Sequence, residues 1–554
     1  MELKPPSTPP PRRDRRPVLV AIALALLALA LYFPALRYDF VNYDDNRYVT
    51  DNATIQRGVT AANLAWSLTA YVNSNWHPIT LLSHMLDVQL FGLNPAGHHG
   101  SSIVLHMLNT VLLFLALRAV SGELWCSACV AALFAAHPLN IQSAVWISER
   151  KNLLSTLFWM LAIIAHVRYR QHNSAARAAL VLLLLTLALA SKPMAVTLPL
   201  TLILIDYWID GRWIVRWKLL AAQAVLVAAG VALTLDAQGD AHAISSLAAF
   251  SWLDRLTGAI VGYAWYPFKL FWPLELAIFY PHPKGSISLA VVLVSLTLVV
   301  AVSIVVWRHR QPRRWALFGW LWYLVTLFPV SGVVQVGAQA YADRYAYIPL
   351  IGLFVILVWW PPPRFRLAAS GVAALLLAIA MRSELPFWNN SLTLFERASS
   401  VVAGNWLAHN NLGMALVANN QMPQAEEQFR HAVEAAPWDK GARSNWGNAL
   451  RALGRPAEAE PQYRAALELG PDDATAHYNL ATALIDLGKL DEAATQLRRA
   501  IELQADYLPS RRSLVGLLLR QGARQEALVQ LEQLARLDPN DQRVRDTIER
   551  LRRE

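Results

Sequence analysis

Residues 440–473, KGARSNWGNALRALGRPAEAEPQYRAALELGPDD, run directly into residues 474–507, ATAHYNLATALIDLGKLDEAATQLRRAIELQADY, and the two align without a gap. The period is 34 residues, with further copies starting at Trp406 and Leu508. Position 20 is Ala425, Ala459, Ala493 and Ala527. Position 8 is Gly413, Gly447 and Ala481, and position 27 is Ala432, Ala466 and Ala500. Position 24 carries the larger Phe429, Tyr463, Leu497 and Leu531. Small residues at 8, 20 and 27 let two helices approach closely, and the larger side chain at 24 fills the space between them. Proline at position 32 (Pro437, Pro471, Pro539) ends the second helix.

This pattern resembles the tetratricopeptide repeat, because several positions recur in register. It predicts an α-solenoid over 383–554, closed by a charged capping helix in 540–554. The segment 383–405 reads as a poorly matched first repeat or a linker helix. The repeat residues specify packing and a concave face, not a ligand.

Upstream of residue 383 the chain changes character. The whole sequence is 55% hydrophobic and 16% charged, against about 25% charged in ordinary soluble domains. The deficit is concentrated in runs such as Pro17–Leu36 and Ile287–Trp307, which hold no charge and are long enough to cross a bilayer. Eleven spans are expected, at about 17–36, 99–117, 124–137, 152–168, 177–191, 193–209, 218–236, 287–307, 315–331, 345–360 and 367–382. The first reads as a retained signal anchor behind a basic arm, 1–16.

With that arm in the cytoplasm, the six cytoplasmic segments hold 18 Lys and Arg in 58 residues. The five outer segments hold 10 in 143 residues. This asymmetry sets the orientation. It also accounts for the net charge of +10, so nucleic-acid binding is not indicated. The apolar stretch Leu256–Pro273 would break the alternation if it crossed, and reads as an interfacial or re-entrant helix. An odd span count puts the repeats outside the cytoplasm. Two cysteines, Cys126 and Cys129, sit in an apolar run and read as helix packing.

The first outer segment, 37–98, contains the adjacent acids Asp44 and Asp45. A carboxylate at a membrane surface can deprotonate a hydroxyl nucleophile; Asp-Asp-Asn can equally make a solvated turn. Four cations lie outside against the charge rule: Arg150, Lys151, Lys192 and Arg344. All precede spans on the same face as the acids. A lipid-phosphate headgroup would account for them, while for any one residue snorkelling would too. His77-Pro78 and His137-Pro138 read as helix entries. No metal-ligand spacing appears.

The succession Tyr43-Asp-Asp-Asn-Arg-Tyr48, His77-Pro-Ile-Thr80, Gly92-Leu-Asn-Pro95, Ser148-Glu-Arg-Lys-Asn152, Ser191-Lys-Pro193 and Ala342-Asp-Arg-Tyr345, followed by repeats, resembles the TMTC-type transmembrane and tetratricopeptide-repeat protein O-mannosyltransferases and their bacterial relatives. Lys192-Pro193 stands where animal members tend to have Lys-Glu. The resemblance implies an all-α polytopic bundle of GT-C type. It further implies a polyprenyl-phosphate sugar donor as substrate, a protein Ser or Thr acceptor, and inversion at the anomeric carbon. In that family an acid of the first outer loop is the usual base, which maps to Asp44 or Asp45; the Lys192 and Arg344 motifs have counterparts in the family, and with Arg150 and Lys151 from the charge pattern they are the expected donor-phosphate ligands. No cofactor or metal is implied. The expected location is a bacterial inner membrane with the repeats in the periplasm, binding acceptor protein. A non-enzymatic membrane scaffold is the alternative, although eleven spans exceed what an anchor needs. A lipid-sugar transporter would need acids buried mid-span, and only Asp206, near a span end, comes close.

Overall fold

The computed structural model describes residues 14–240 and 249–553. The basic arm therefore lies outside the described residues apart from its last three. Nearly every described element is a helix; the one sheet pairs Tyr280–Pro281 with Gln339–Tyr341. The chain divides into a unit ending at Arg397 and a unit Ala398–Glu554.

Among the described residues of the first unit, seven helices are long and apolar enough to cross a membrane: Arg16–Arg37, Pro95–Ser121, Ile147–Gln171, Pro193–Asp210, Trp217–Gly239, Leu289–Arg308 and Pro363–Trp388. An eighth arises if Leu124–Ala136 and Pro138–Val145, bent by 62°, count as one span. His137 and Pro138 make that break: proline cannot continue the preceding ladder, and the His137 ring Nδ1 accepts from the Leu139 N–H at 3.3 Å. Two further expected spans are shorter apolar helices, Ala175–Leu189 and Pro349–Trp359. Another coincides with Arg314–Leu327. The stretch read as interfacial forms a helix, Trp252–Phe271, that is not among the candidate spans.

The apolar core of this unit is aromatic, with Trp146, Trp159, Trp322 and Tyr347 fully buried. Helices Arg314–Leu327 and Pro349–Trp359 cross at Gly319 and Gly352, where a Cβ on either glycine would collide with the other's carbonyl oxygen. Small residues at a crossing are how membrane helices approach closely. Helix Arg150–Gln171 is fixed at both ends. Its far end meets Asp206, which is 1% exposed and bound by His166 Nε2 at 3.0 Å, Arg170 Nε at 2.8 Å and Arg216 Nε at 3.5 Å. Arg170 also reaches Asp210 at 2.6 Å. A buried acid held by two arginines and a histidine is a structural lock.

The second unit is four helix pairs: Trp406–Ala418 with Met422–Ala435, Lys440–Ala452 with Pro456–Leu469, Ala474–Asp486 with Leu490–Leu503, and Leu508–Arg520 with Arg524–Leu537. A Cβ at Gly413 would stand 2.6 Å from Phe429, and one at Gly447 2.7 Å from Tyr463. The small-against-large rule read from positions 8 and 24 is therefore a direct contact. Between paired helices the backbone turns left-handed at Asn420, Gly454, Gly488 and Gly522, again one period apart. The last helix, Gln542–Arg553, packs Val544, Ile548 and Leu551 onto Leu531 and Leu534, capping the array.

Candidate functional site

The chain leaves its first helix at Arg37 and reaches Asp44 in the left-handed region, with φ of 66°. A single π-helical turn, Asn46–Thr50, follows. Such strain in a non-glycine residue collects at functional sites. It also separates the two acids. Asp45 is 1% exposed, and both its carboxylate oxygens are engaged. One accepts from the Val41 N–H at 3.0 Å; the other accepts from the Ser148 N–H at 2.9 Å and from the Ser148 hydroxyl. Burial pushes its carboxyl up to about 7, against the pull of these hydrogen bonds. Asp44 is only partly buried. Its carboxylate has no hydrogen bond or ion pair among the described residues, and it lies within electrostatic reach of Lys151 and Arg344.

Ser148 belongs to a short 3-10 turn, Ile147–Glu149, that delivers a residue sequence reasoning missed. Glu149 is 1% exposed. Its Oε1 meets Lys151 Nζ at 3.2 Å and Arg344 Nε at 3.3 Å, and its Oε2 meets Lys192 Nζ at 3.1 Å. Three of the four expected cations thus converge, from three separate stretches of chain, on one buried carboxylate. The available signal was an acid beside two bases at a helix start, ambiguous because such runs are common on solvated surfaces.

Arg150 does not join them, which corrects the expectation of a four-cation pocket. Its guanidinium is fully buried and fully employed: Nη2 reaches Asp87 at 2.7 Å and the His98 carbonyl at 2.7 Å. Its Nε and Nη1 donate to the Ser102 and Ser83 hydroxyls at 3.1 and 3.0 Å. Successive residues on a helix diverge by about 100°, so Arg150 ties helices Pro78–Phe91 and Pro95–Ser121 together while Lys151 faces the site.

An aromatic frame shapes the cationic group. Trp146 stacks on Tyr43 at 5.3 Å and donates its indole N–H to the Tyr43 carbonyl at 2.9 Å. Lys151 sits 5.0 Å from the Tyr48 ring, and Arg344 5.3 Å from the Trp146 ring. Arg344 is anchored through its backbone, donating N–H to Gln142 at 2.8 Å and accepting from Asn152 at 2.9 Å. Its Nη2 donates to Gln339 at 3.1 Å, while Nη1 is buried with no hydrogen-bond partner among the described residues. Lys192 starts the turn Pro193–Thr197. That turn is tied to the His77-Pro78 entry by the Thr80 hydroxyl donating to the Ser191 carbonyl at 3.1 Å. Burial draws the Lys192 ammonium down to about 8 although Glu149 opposes it. His77 is fully buried, and neither ring nitrogen has a partner among the described residues. Burial, with Lys151 adding to it, lowers its pKa to about 3, so the ring is neutral.

The arrangement offers an unpaired carboxylate beside a water-poor group of cations with spare N–H donors. It can hold an anion and accept a proton. Among the described residues no cluster of three metal-ligating side chains exists.

A tetratricopeptide repeat model matches residues 444–507 and 480–542. A protein O-mannosyl-transferase of Caenorhabditis elegans is 23% identical over 461 residues, covering 76% of this chain and 63% of that protein. One of Drosophila melanogaster is 29% identical over 174 residues, 30% of this chain and 20% of that one. One of Mus musculus is 29% identical over 176 residues, 29% of this chain and 18% of that one. This chain therefore spans less than two thirds of the length of these curated relatives. Among solved structures, the tetratricopeptide repeat protein YrrB is 21% identical with a TM-score of 0.27, covering 29% of this chain and 82% of that one. The curated homologues of this chain are TMTC-type protein O-mannosyltransferases.

Proposed function

We propose, starting from that homology, that this chain is an inverting membrane glycosyltransferase of GT-C type. It moves a sugar from a polyprenyl-phosphate donor to a Ser or Thr hydroxyl of a protein, on the outer face of a bacterial inner membrane. The observation that carries the reading is the convergence of Lys151, Lys192 and Arg344 about Glu149, with Asp44 unpaired within electrostatic reach.

The roles follow from the chemistry each group can do. Lys151, Lys192 and Arg344 hold the donor phosphate and stabilise the charge that builds on it as it leaves. Asp44 takes the acceptor hydroxyl proton as the oxygen attacks the anomeric carbon from the opposite side. Asp45 keeps its neighbour in place by fastening the loop to Ser148. Arg150 supports the helices behind the site. The lipid tail lies between spans, and the repeats raise the local concentration of acceptor protein. The cations neutralise the phosphate themselves.

Intact-mass analysis of periplasmic and surface proteins tests this, comparing cells with the wild-type chain, with Asp44→Asn and with none. A mass increment of one sugar that appears only with wild type supports transfer. The same increment with Asp44→Asn removes Asp44 as the base. No increment with any chain favours the scaffold reading.

A further inference from the structure

We propose that Glu149 is the positioning residue of this site and also sets its charge: it gathers three cations from distant parts of the chain, and it cancels one of them so that the spent phosphate can leave. The inference rests on the lipid-phosphate reading of the site and goes beyond it.

Residues 151, 192 and 344 lie on separate elements, and their like charges repel at this range. Glu149 alone touches all three, at 3.1–3.3 Å, and is itself only 1% exposed. Its carboxylate fixes where each cation stands before any ligand arrives. It does not exhaust them. A lysine ammonium has three donors, and Arg344 Nη1 is buried with no hydrogen-bond partner among the described residues. The cradle is ordered yet keeps donors for a second anion.

The charges then match the reaction at both stages. With Asp44 ionised, three cations and two carboxylates leave one positive charge, facing the single negative charge of a phosphodiester donor. In transfer the bond from the anomeric carbon to the phosphate oxygen breaks, and its electron pair stays on the phosphate. The bond to the acceptor oxygen forms, and the hydroxyl proton passes to Asp44. Asp44 is now neutral and the site carries two positive charges. The product is a phosphomonoester, close to a dianion at pH 7. Donor and product are each balanced, and neither is over-held. Without Glu149 an extra positive charge would favour the product dianion most.

The test uses the full-length chain in lipid nanodiscs, with polyprenyl monophosphate as inhibitor and inorganic phosphate as a probe that needs no turnover. In Glu149→Gln the inhibition constant for polyprenyl monophosphate falls about tenfold or more, as expected for one uncancelled charge at a buried site. Inorganic phosphate protects against thermal unfolding at correspondingly lower concentration. kcat falls while the donor KM does not rise, because release slows and the cations spread. Glu149→Asp keeps the charge and shortens the arm: inhibition stays within about twofold of wild type while kcat falls. Glu149→Gln with unchanged inhibition and unchanged phosphate protection overturns the inference, whatever its kcat, since lost folding would leave both constants alone. Should Glu149→Gln not insert, Glu149→Asp decides: wild-type kcat there overturns the positioning role. If the wild-type chain transfers no sugar from any polyprenyl phosphate, the proposed reaction fails, and the phosphate-protection comparison still judges Glu149 separately.

Discussion

At Asp44 the backbone takes a φ of 66°, and one residue later Asp45 is drawn under Ser148, where both its oxygens are occupied. That geometry assigns different outcomes to the same substitution. Asp44→Asn should lower kcat by about a hundredfold or more, the usual scale for a lost general base, with an unchanged melting temperature. Asp45→Asn sets an amide donor against N–H and O–H donors. It should cost about 1–3 kcal/mol of stability, read by thermal unfolding in detergent. Lys192 adds a pH signature. Its folded pKa lies at about 8, below the ordinary 10.5. Above pH 8 the ammonium is lost from the folded protein, so donor KM should rise, and Lys192→Arg should flatten the profile. Stability moves the other way: between 8 and 10.5 the unfolded chain binds the extra proton, so the fold gains as pH rises. The sequence showed two acids and four cations but could not rank them. A positive φ and a shared counter-ion are properties of three-dimensional placement, and Glu149 was hidden among ordinary flanking charges.

Among the elements, helix Arg150–Gln171 shows why neighbours in sequence differ in role. Arg150 and Lys151 both looked like phosphate ligands, yet the helical turn sends Arg150 back to Asp87 at 2.7 Å. Arg150→Met strands a buried carboxylate and should cost about 3–5 kcal/mol, seen as lost expression and lower melting temperature. Any protein that survives should keep its donor KM. The repeats were legible for a different reason. Their packing depends on side-chain size at fixed positions, and size is written directly in the residue types. Gly447→Val would push a branched side chain into Tyr463, whose ring lies only 2.7 Å from where the new Cβ would stand. It should destabilise the Ala398–Glu554 unit by about 1–3 kcal/mol, measured by circular dichroism on heating. Span ends were less legible: the His137-Pro138 bend of 62° and the short Pro349–Trp359 helix interrupt what hydropathy reads as plain apolar runs.

For the molecule as a whole, the rod Arg150–Gln171 ends in ion pairs on both sides: Glu149 and Arg150 at the site, and Arg170 on Asp206 at the other end. Between them the stretch Leu153–Ala165 rises about 20 Å and is packed inside the protein, with Leu153, Trp159, Met160 and Ala162 fully buried. Clamped at each extremity, this rod has little freedom to lean or slide. A disturbance at the Asp206 end is passed along the rod to the carboxylate that gathers the three cations, so the site is steadied from the opposite end of the helix as well as from its own.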